Sequence, residues 1–200
     1  MDEKIIVAGS GGHGVLTMGV FLSRIGVHED RRVTWLPTYG AEKRGGFSYC
    51  YICVSDGIIY SPVVESPTAL IAFDQRAYET YKSKISEKTL FVENSSLVKG
   101  DKDPGKKISI PASELSNSVK FMRGMNMILA GAFIEASGLF KHENAYTVME
   151  EMLKGRNNEI IEKNFIAYGM GVKYVKDRTI FANINEGIKS VKEMFARWRK

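Results

Sequence analysis

The chain opens with a short apolar run, Lys4-Ile5-Ile6-Val7-Ala8, that breaks into Gly9-Ser10-Gly11-Gly12-His13-Gly14. Apolar residues then recur at helical spacing through Val15, Met18, Gly19, Leu22 and Ile25. A brief apolar run bounded by glycines reads as a buried strand, and the spacing after it as a helix folded back onto that strand. This strand, turn and helix unit commits the N-terminal part to an α/β sheet, because the helix must bury its apolar stripe on the strand's own sheet.

The same alternation continues. Arg32 to Leu36 reads as a second strand closed by Pro37, and Phe47 to Val54 as a long strand rich in aromatic and β-branched residues. The turn signal Ser55-Asp56-Gly57 before Ile58-Ile59-Tyr60 predicts a β-hairpin. Ala69 to Phe73 is a further strand, followed by a helix over Gln75 to Ile85; Leu90 to Glu93 and Ile108 to Ile110 complete the strands. Beyond them the pattern turns helical over Met125 to Ala136 with Gly138 as C-cap, Glu143 to Leu153, Asn158 to Met170, and Asn185 to Arg197. The expectation is a single α/β domain over residues 1–200, a Rossmann-like three-layer structure with a mostly parallel sheet and a β-hairpin insertion. Its core would span about 1–138 and a helical C-terminal part about 139–200.

Bulk properties narrow the function classes. Two hundred residues with 44% hydrophobic content support one full-sized core. The net charge of +5 gathers late, at Lys189, Lys192, Arg197, Arg199 and Lys200, without interleaved aromatics. That pattern reads as a solvated helix face, with no nucleic acid expected. The longest apolar stretch, Met125 to Ala136, is too short to span a bilayer and contains Asn126 and Glu135, so no membrane role is expected. Met1-Asp2-Glu3-Lys4 runs directly into a strand rather than a leader. The two cysteines, Cys50 and Cys53, sit three apart on one strand and so point to opposite faces. They suit a buried reduced thiol pair in a reducing, cytoplasmic setting rather than a metal or cluster site.

Two loops carry the chemistry. Gly9-x-Gly11-x-x-Gly14 matches the dinucleotide fingerprint in the right place, where glycines permit close approach of an anion to a helix N-terminus. A nicotinamide enzyme also needs an acid at the end of the second strand to hold the ribose, and here that strand ends Val33-Thr34-Trp35-Leu36-Pro37. The Lys and Ser/Thr of a P-loop are missing as well. Two readings remain for Gly9, Gly11, Gly12, His13 and Gly14: a phosphate-tolerant turn, or a purely structural one. His13 could donate to a phosphate or a partner carbonyl, or only orient the turn. His28 and His142 are isolated, and no nucleophile–base pair or zinc set emerges, so neither catalytic nor metal residues are assigned.

The second loop, Pro37-Thr38-Tyr39-Gly40-Ala41-Glu42-Lys43-Arg44-Gly45-Gly46, holds a ring, an acid, two cations and three glycines. An exposed Glu42–Arg44 ion pair would be worth under about 1 kcal/mol. Such a composition instead suits contact: arginine presents a planar fork to carboxylate or phosphate, and tyrosine a large area at low entropic cost. Tyr39, Glu42, Arg44, Gly45 and Gly46 are therefore read as an interface or ligand-facing loop.

These two motifs, with Val54-Ser55-Asp56, Ser61-Pro62, Asn126-Met127, Gly131-Ala132, Lys163-Asn164, Ala167 and Gly169, resemble the gamma subunit of 2-oxoacid:ferredoxin oxidoreductases. The likeness covers most of the chain and leans toward the branch using 2-oxoglutarate or branched-chain acids such as 2-ketoisovalerate. His13 departs from it, since that family usually carries glutamine there. The resemblance implies a subunit of a complex that decarboxylates a 2-oxoacid oxidatively to an acyl-CoA and passes electrons to ferredoxin. Thiamine diphosphate, Mg2+ and iron–sulfur clusters would be held by alpha, beta and ferredoxin-like delta partners. The glycine turn and the Tyr39–Gly46 loop would face coenzyme A or those partners, and the isolated chain would be free to homodimerise. The competing expectation is a stand-alone Rossmann-type nucleotide- or CoA-binding protein or dehydrogenase.

Overall fold

A computed structural model describes residues 2–40, 45–100, 103–177, 179 and 184–198. Six strands form one sheet: β1 (Asp2–Ser10), β2 (Arg32–Tyr39), β3 (Phe47–Ser55), β4 (Ala69–Ala72), β5 (Leu90–Asn94) and β6 (Lys106–Ile110), in the order β2-β3-β1-β4-β5-β6. Strands β1, β4, β5 and β6 pair in parallel, while β3 runs antiparallel to both β1 and β2. The mixed, mostly parallel α/β architecture is the expected one.

Strand β1 is central, and Ile5, Ile6, Val7 and Ala8 are fully buried. Ile5 and Val7 join a large core on one face, and Ile6 and Ala8 a smaller core on the other. A strand covered on both faces needs this unbroken apolar run. The large core lies under α1 (Val15–His28) and α4 (Met125–Ser137); the smaller lies under α2 (Gln75–Tyr81). Cys50 belongs to the first and Cys53 to the second, so the sulfurs diverge as period-two alternation requires.

The remaining helices are α3 (Ala112–Ser118), α5 (His142–Leu153), α6 (Asn158–Lys176) and α7 (Ile184–Trp198). Helix α6 packs on α4, and α7 on α6. Glycines set the closeness of the first crossing: a Cβ at Gly131 would collide with the Tyr168 carbonyl, and one at Gly171 with the Ile128 carbonyl. Across the second, Gly169 faces Val191 and Met194, and the Phe165 and Phe195 rings lie 4.7 Å apart. Lys189 and Lys192 point to solvent while Val191 and Phe195 are buried, which fits a solvated basic face; the side chains of Arg197, Arg199 and Lys200 lie outside the described residues.

Three expectations are corrected. Residues 58–60 form no strand; the hairpin is β2–β3, because β3 already pairs on both sides and leaves no edge for a returning strand. The helix expected over Gln75 to Ile85 stops at Tyr81 and tightens into a 3-10 turn, Lys82–Lys84. The helix from Asn158 continues six residues beyond Met170, to Lys176, and α3 has no counterpart in the sequence reading. Gly138 caps α4 in the left-handed region at φ 64°, as expected.

Candidate functional site

The glycine turn stands at the carboxyl end of β1, beside the end of β4. In open α/β sheets, ligands bind at this edge where the chain leaves to opposite sides. Here α1 follows β1 onto one face and α2 follows β4 onto the other.

Each turn residue has a distinct surrounding. A Cβ at Gly9 would press on Phe73 Cβ at 2.6 Å, so this glycine lets β1 and β4 close together. Gly14 precedes α1 at φ 82°, against Asn126, whose Nδ2 donates to the Gly14 carbonyl at 3.4 Å. Gly12, at φ 95°, faces open space with nothing within 4 Å of a Cβ. Packing accounts for Gly9 and Gly14, and the left-handed backbone of Gly12 by itself favours glycine there, with open space before the turn.

Asp74 anchors the turn. One carboxylate oxygen accepts from the Ser10 amide at 2.6 Å, and the other caps α2 by accepting from the Ala77 amide at 3.0 Å. Burial pulls its pKa upward, but the neighbouring His13 imidazole and the hydrogen bonds from the Ser10 and Ala77 amides outweigh it and hold the carboxyl well below the usual range. His13 Nδ1 lies 3.7 Å from Asp74, near enough for attraction but beyond a good hydrogen bond, and this buried nitrogen has no other partner among the described residues.

The second loop returns beside the first. Gly11 N–H donates to the Gly46 carbonyl at 2.6 Å, and Gly40 N–H to Phe47 at 2.7 Å. Tyr39 is 69% exposed. Gly45 adopts φ 67° with open space about it. Of the five residues assigned to this loop, Glu42 and Arg44 lie outside the described residues; Tyr39, Gly45 and Gly46 are at the end of the sheet that carries the glycine turn.

A cavity of about 380 Å³ opens against Gly12, His13 and Gly14 and reaches Asn126, Arg123 and Arg156. A larger groove of about 470 Å³, lined by Val27, Trp35 and Val148, contains no turn residue. Sequence reasoning missed Asp74 and the two arginines as site residues. An acid between a strand and a helix start was a readable capping signal for Asp74, but nothing local marks Arg123 or Arg156.

The sheet also bears on dinucleotide chemistry. In the nicotinamide arrangement the second strand lies beside the first and supplies the ribose-binding acid. Here the antiparallel β3 intervenes between β1 and β2, and β2 ends at Pro37-Thr38-Tyr39.

The family described as pyruvate ferredoxin/flavodoxin oxidoreductase matches residues 4–174, and the chain belongs to that family. It is 28% identical over 180 residues to the 2-oxoglutarate synthase subunit KorC of Archaeoglobus fulgidus, covering 90% of this chain and 93% of that one. It is 24% identical over 176 residues to the ketoisovalerate oxidoreductase subunit VorA of Methanothermobacter thermautotrophicus, covering 88% of this chain but 37% of the relative. The chain therefore spans little more than a third of the length of that longer relative. Among solved structures, it resembles 2-oxoglutarate:ferredoxin oxidoreductase from Magnetococcus marinus, solved with 2-oxoglutarate, coenzyme A and succinyl-CoA bound. The TM-score is 0.82 at 26% identity, over 88% of this chain and 31% of that one.

Proposed function

We propose that this chain is the gamma subunit of a thiamine-diphosphate-dependent 2-oxoacid:ferredoxin oxidoreductase, with 2-oxoglutarate as the substrate. Near-full-length similarity to a 2-oxoglutarate synthase subunit, 93% of which is matched, carries this reading. The turn Gly9, Gly11, Gly12, His13 and Gly14 faces coenzyme A, and the loop of Tyr39, Glu42, Arg44, Gly45 and Gly46 faces coenzyme A or a partner subunit. The Gly11–Gly46 hydrogen bond supports treating the two loops as one surface.

Coenzyme A suits the groups present: a bare Gly12 and the amide end of α1 favour an anionic group. Iron–sulfur clusters do not suit this donor set, since Cys50 and Cys53 lie on opposite faces. Thiamine diphosphate, Mg2+ and the clusters are accordingly assigned to alpha, beta and ferredoxin-like delta partners in the cytoplasm, with ferredoxin as electron acceptor. Among the described residues no helix is long and apolar enough to cross a membrane.

The test is affinity capture of the full chain from its native cells, followed by assay of the eluate for 2-oxoacid- and CoA-dependent reduction of a viologen dye. Activity with 2-oxoglutarate above 2-ketoisovalerate or pyruvate supports the assignment. A chain recovered alone and inactive, but titrating with NAD or NADP, would replace it with the stand-alone dehydrogenase.

A further inference from the structure

Strand β2 ends the sheet, and among the described residues no strand lies beyond it. Gly40 N–H donates to the Phe47 carbonyl, in register with the pairing of Tyr39 and Ser48. Hydrogen-bonded positions alternate along an antiparallel pair. The even-numbered residues of β2 therefore turn their amides and carbonyls to β3, and Val33, Trp35, Pro37 and Tyr39 turn theirs outward. Pro37 has no N–H to offer. On the other side of Val33, the Arg31 amide already donates to the Gly26 carbonyl at 3.0 Å. Val33 and Trp35 are thus neighbouring outward residues that each present a donor and an acceptor.

The surface beside this edge is apolar and carries both signs of charge. Val27 is 61% and Trp35 37% exposed, and with Val33 and Val148 they line the groove of about 470 Å³ between α1, α5 and β2. Arg24 and Glu151 line the same groove, and among the described residues neither forms an ion pair. Thr34 lies on the opposite face of β2, opposite Cys53. Its hydroxyl oxygen is buried with no hydrogen-bond partner among the described residues.

We propose that two copies of this chain pair through this edge, β2 running antiparallel to β2 of the second copy about a two-fold axis at Thr34. This register matches Val33 with Trp35 of the other copy on both sides of the axis, so every outward N–H and C=O of the two residues is paired. A register centred on Trp35 would set Val33 against Pro37, which has no donor. One centred on Val33 would set Trp35 against Arg31, whose amide is engaged. Centring on Thr34 also places an aromatic opposite a β-branched side chain, a favourable cross-strand pair. On the other face it brings the two Thr34 residues together, where a χ1 rotation lets the orphaned hydroxyls bond each other. A two-fold contact must be self-complementary, and Arg24 and Glu151 supply an unpaired cation and acid on the same surface. Pro37 limits the edge to this short ladder and blocks the long open pairing that leads to aggregation. The pairing uses neither glycine loop, so it stands apart from the coenzyme A reading.

The experiment is sedimentation equilibrium of the full chain, with melting curves to verify folding. The wild type is expected to be a dimer. Val33→Pro removes one outward donor from each copy, on an edge where proline is tolerated, and is expected to raise the dissociation constant roughly tenfold or more. The register is read by cross-linking. Thr34→Cys is made in a Cys53→Ser background, because Cys53 neighbours Thr34 on β3 and would capture the new thiol. Across the axis the two Cα atoms stand about 4.5 Å apart, as in any non-hydrogen-bonded antiparallel pair, which is within disulfide reach. Mild oxidation should therefore give a covalent dimer on a non-reducing gel. Leu36→Cys in the same background should give none, since the register sets Leu36 against Arg32. A wild-type chain that sediments as a monomer overturns the proposal, as does a dimer unmoved by Val33→Pro. Equal cross-linking of the Thr34→Cys and Leu36→Cys chains overturns it too.

Discussion

The Gly11 amide donates to the Gly46 carbonyl oxygen at 2.6 Å, joining the turn after β1 to the loop that leads into β3. A Cβ at Gly11 would stand 3.0 Å from that same oxygen. A branched side chain there must push the loops apart. Gly11→Val is therefore expected to lower 2-oxoacid oxidation by the assembled complex at least roughly tenfold. The melting midpoint of the chain should move by only a few degrees, since the change lies on a surface turn. Dye-reduction kinetics alongside a thermal melt check this, and full activity would show that the two loops do not work as one surface.

Asp74 gives a prediction about acid. Its folded pKa lies below the ordinary carboxylate value of about 3.9. Its contribution to stability is thus present above that value and is lost as pH falls toward the folded pKa. Asp74→Ala should cost about 1–3 kcal/mol at neutral pH, because it leaves the Ser10 amide unpaired and removes the α2 cap. Stability of the wild type should decline more steeply than that of the variant below about pH 4. Parallel denaturant curves across the acid range would contradict the account.

The crossing of α4 and α6 is set by glycine. Gly171→Ala drives a methyl group into the Ile128 carbonyl, so the helices must separate. The expected cost is about 1–3 kcal/mol or more, as for other overpacked cores. Urea unfolding measures it, and an unchanged midpoint would mean that the helices do not approach so closely.

Cys50 is sealed beneath α1, with burial raising its pKa to about 12 despite a hydrogen bond from Trp35. Little thiolate exists at pH 8, and the thiolate is the reactive form. Cys50 should resist alkylation by iodoacetamide in the native chain and react on unfolding. Peptide mapping by mass spectrometry reads this directly, and rapid native labelling of Cys50 would refute it.

Local demands were legible in the sequence. Gly138 ends α4 because the chain there needs a left-handed residue, and Cys50 and Cys53 diverge because strand side chains alternate. Long-range pairing was not legible. Ile58-Ile59-Tyr60 has the composition of a strand, yet both edges of β3 are taken by β1 and β2. The bond between Gly11 and Gly46 needed the β1–β3 register. Asp74 carried a visible cap signal; its grip on Ser10, sixty-four residues earlier, did not. Arg123 and Arg156 reach one cavity only because α4, α5 and α6 pack around the start of α1.

As the proposed gamma subunit, this chain is required for oxidation of the 2-oxoacid. The direct measurement is 2-oxoglutarate- and CoA-dependent viologen reduction by the purified partner subunits, assayed with and without added chain. The account predicts that activity rises with added chain and saturates at a fixed molar ratio. Equal activity in its absence would contradict it.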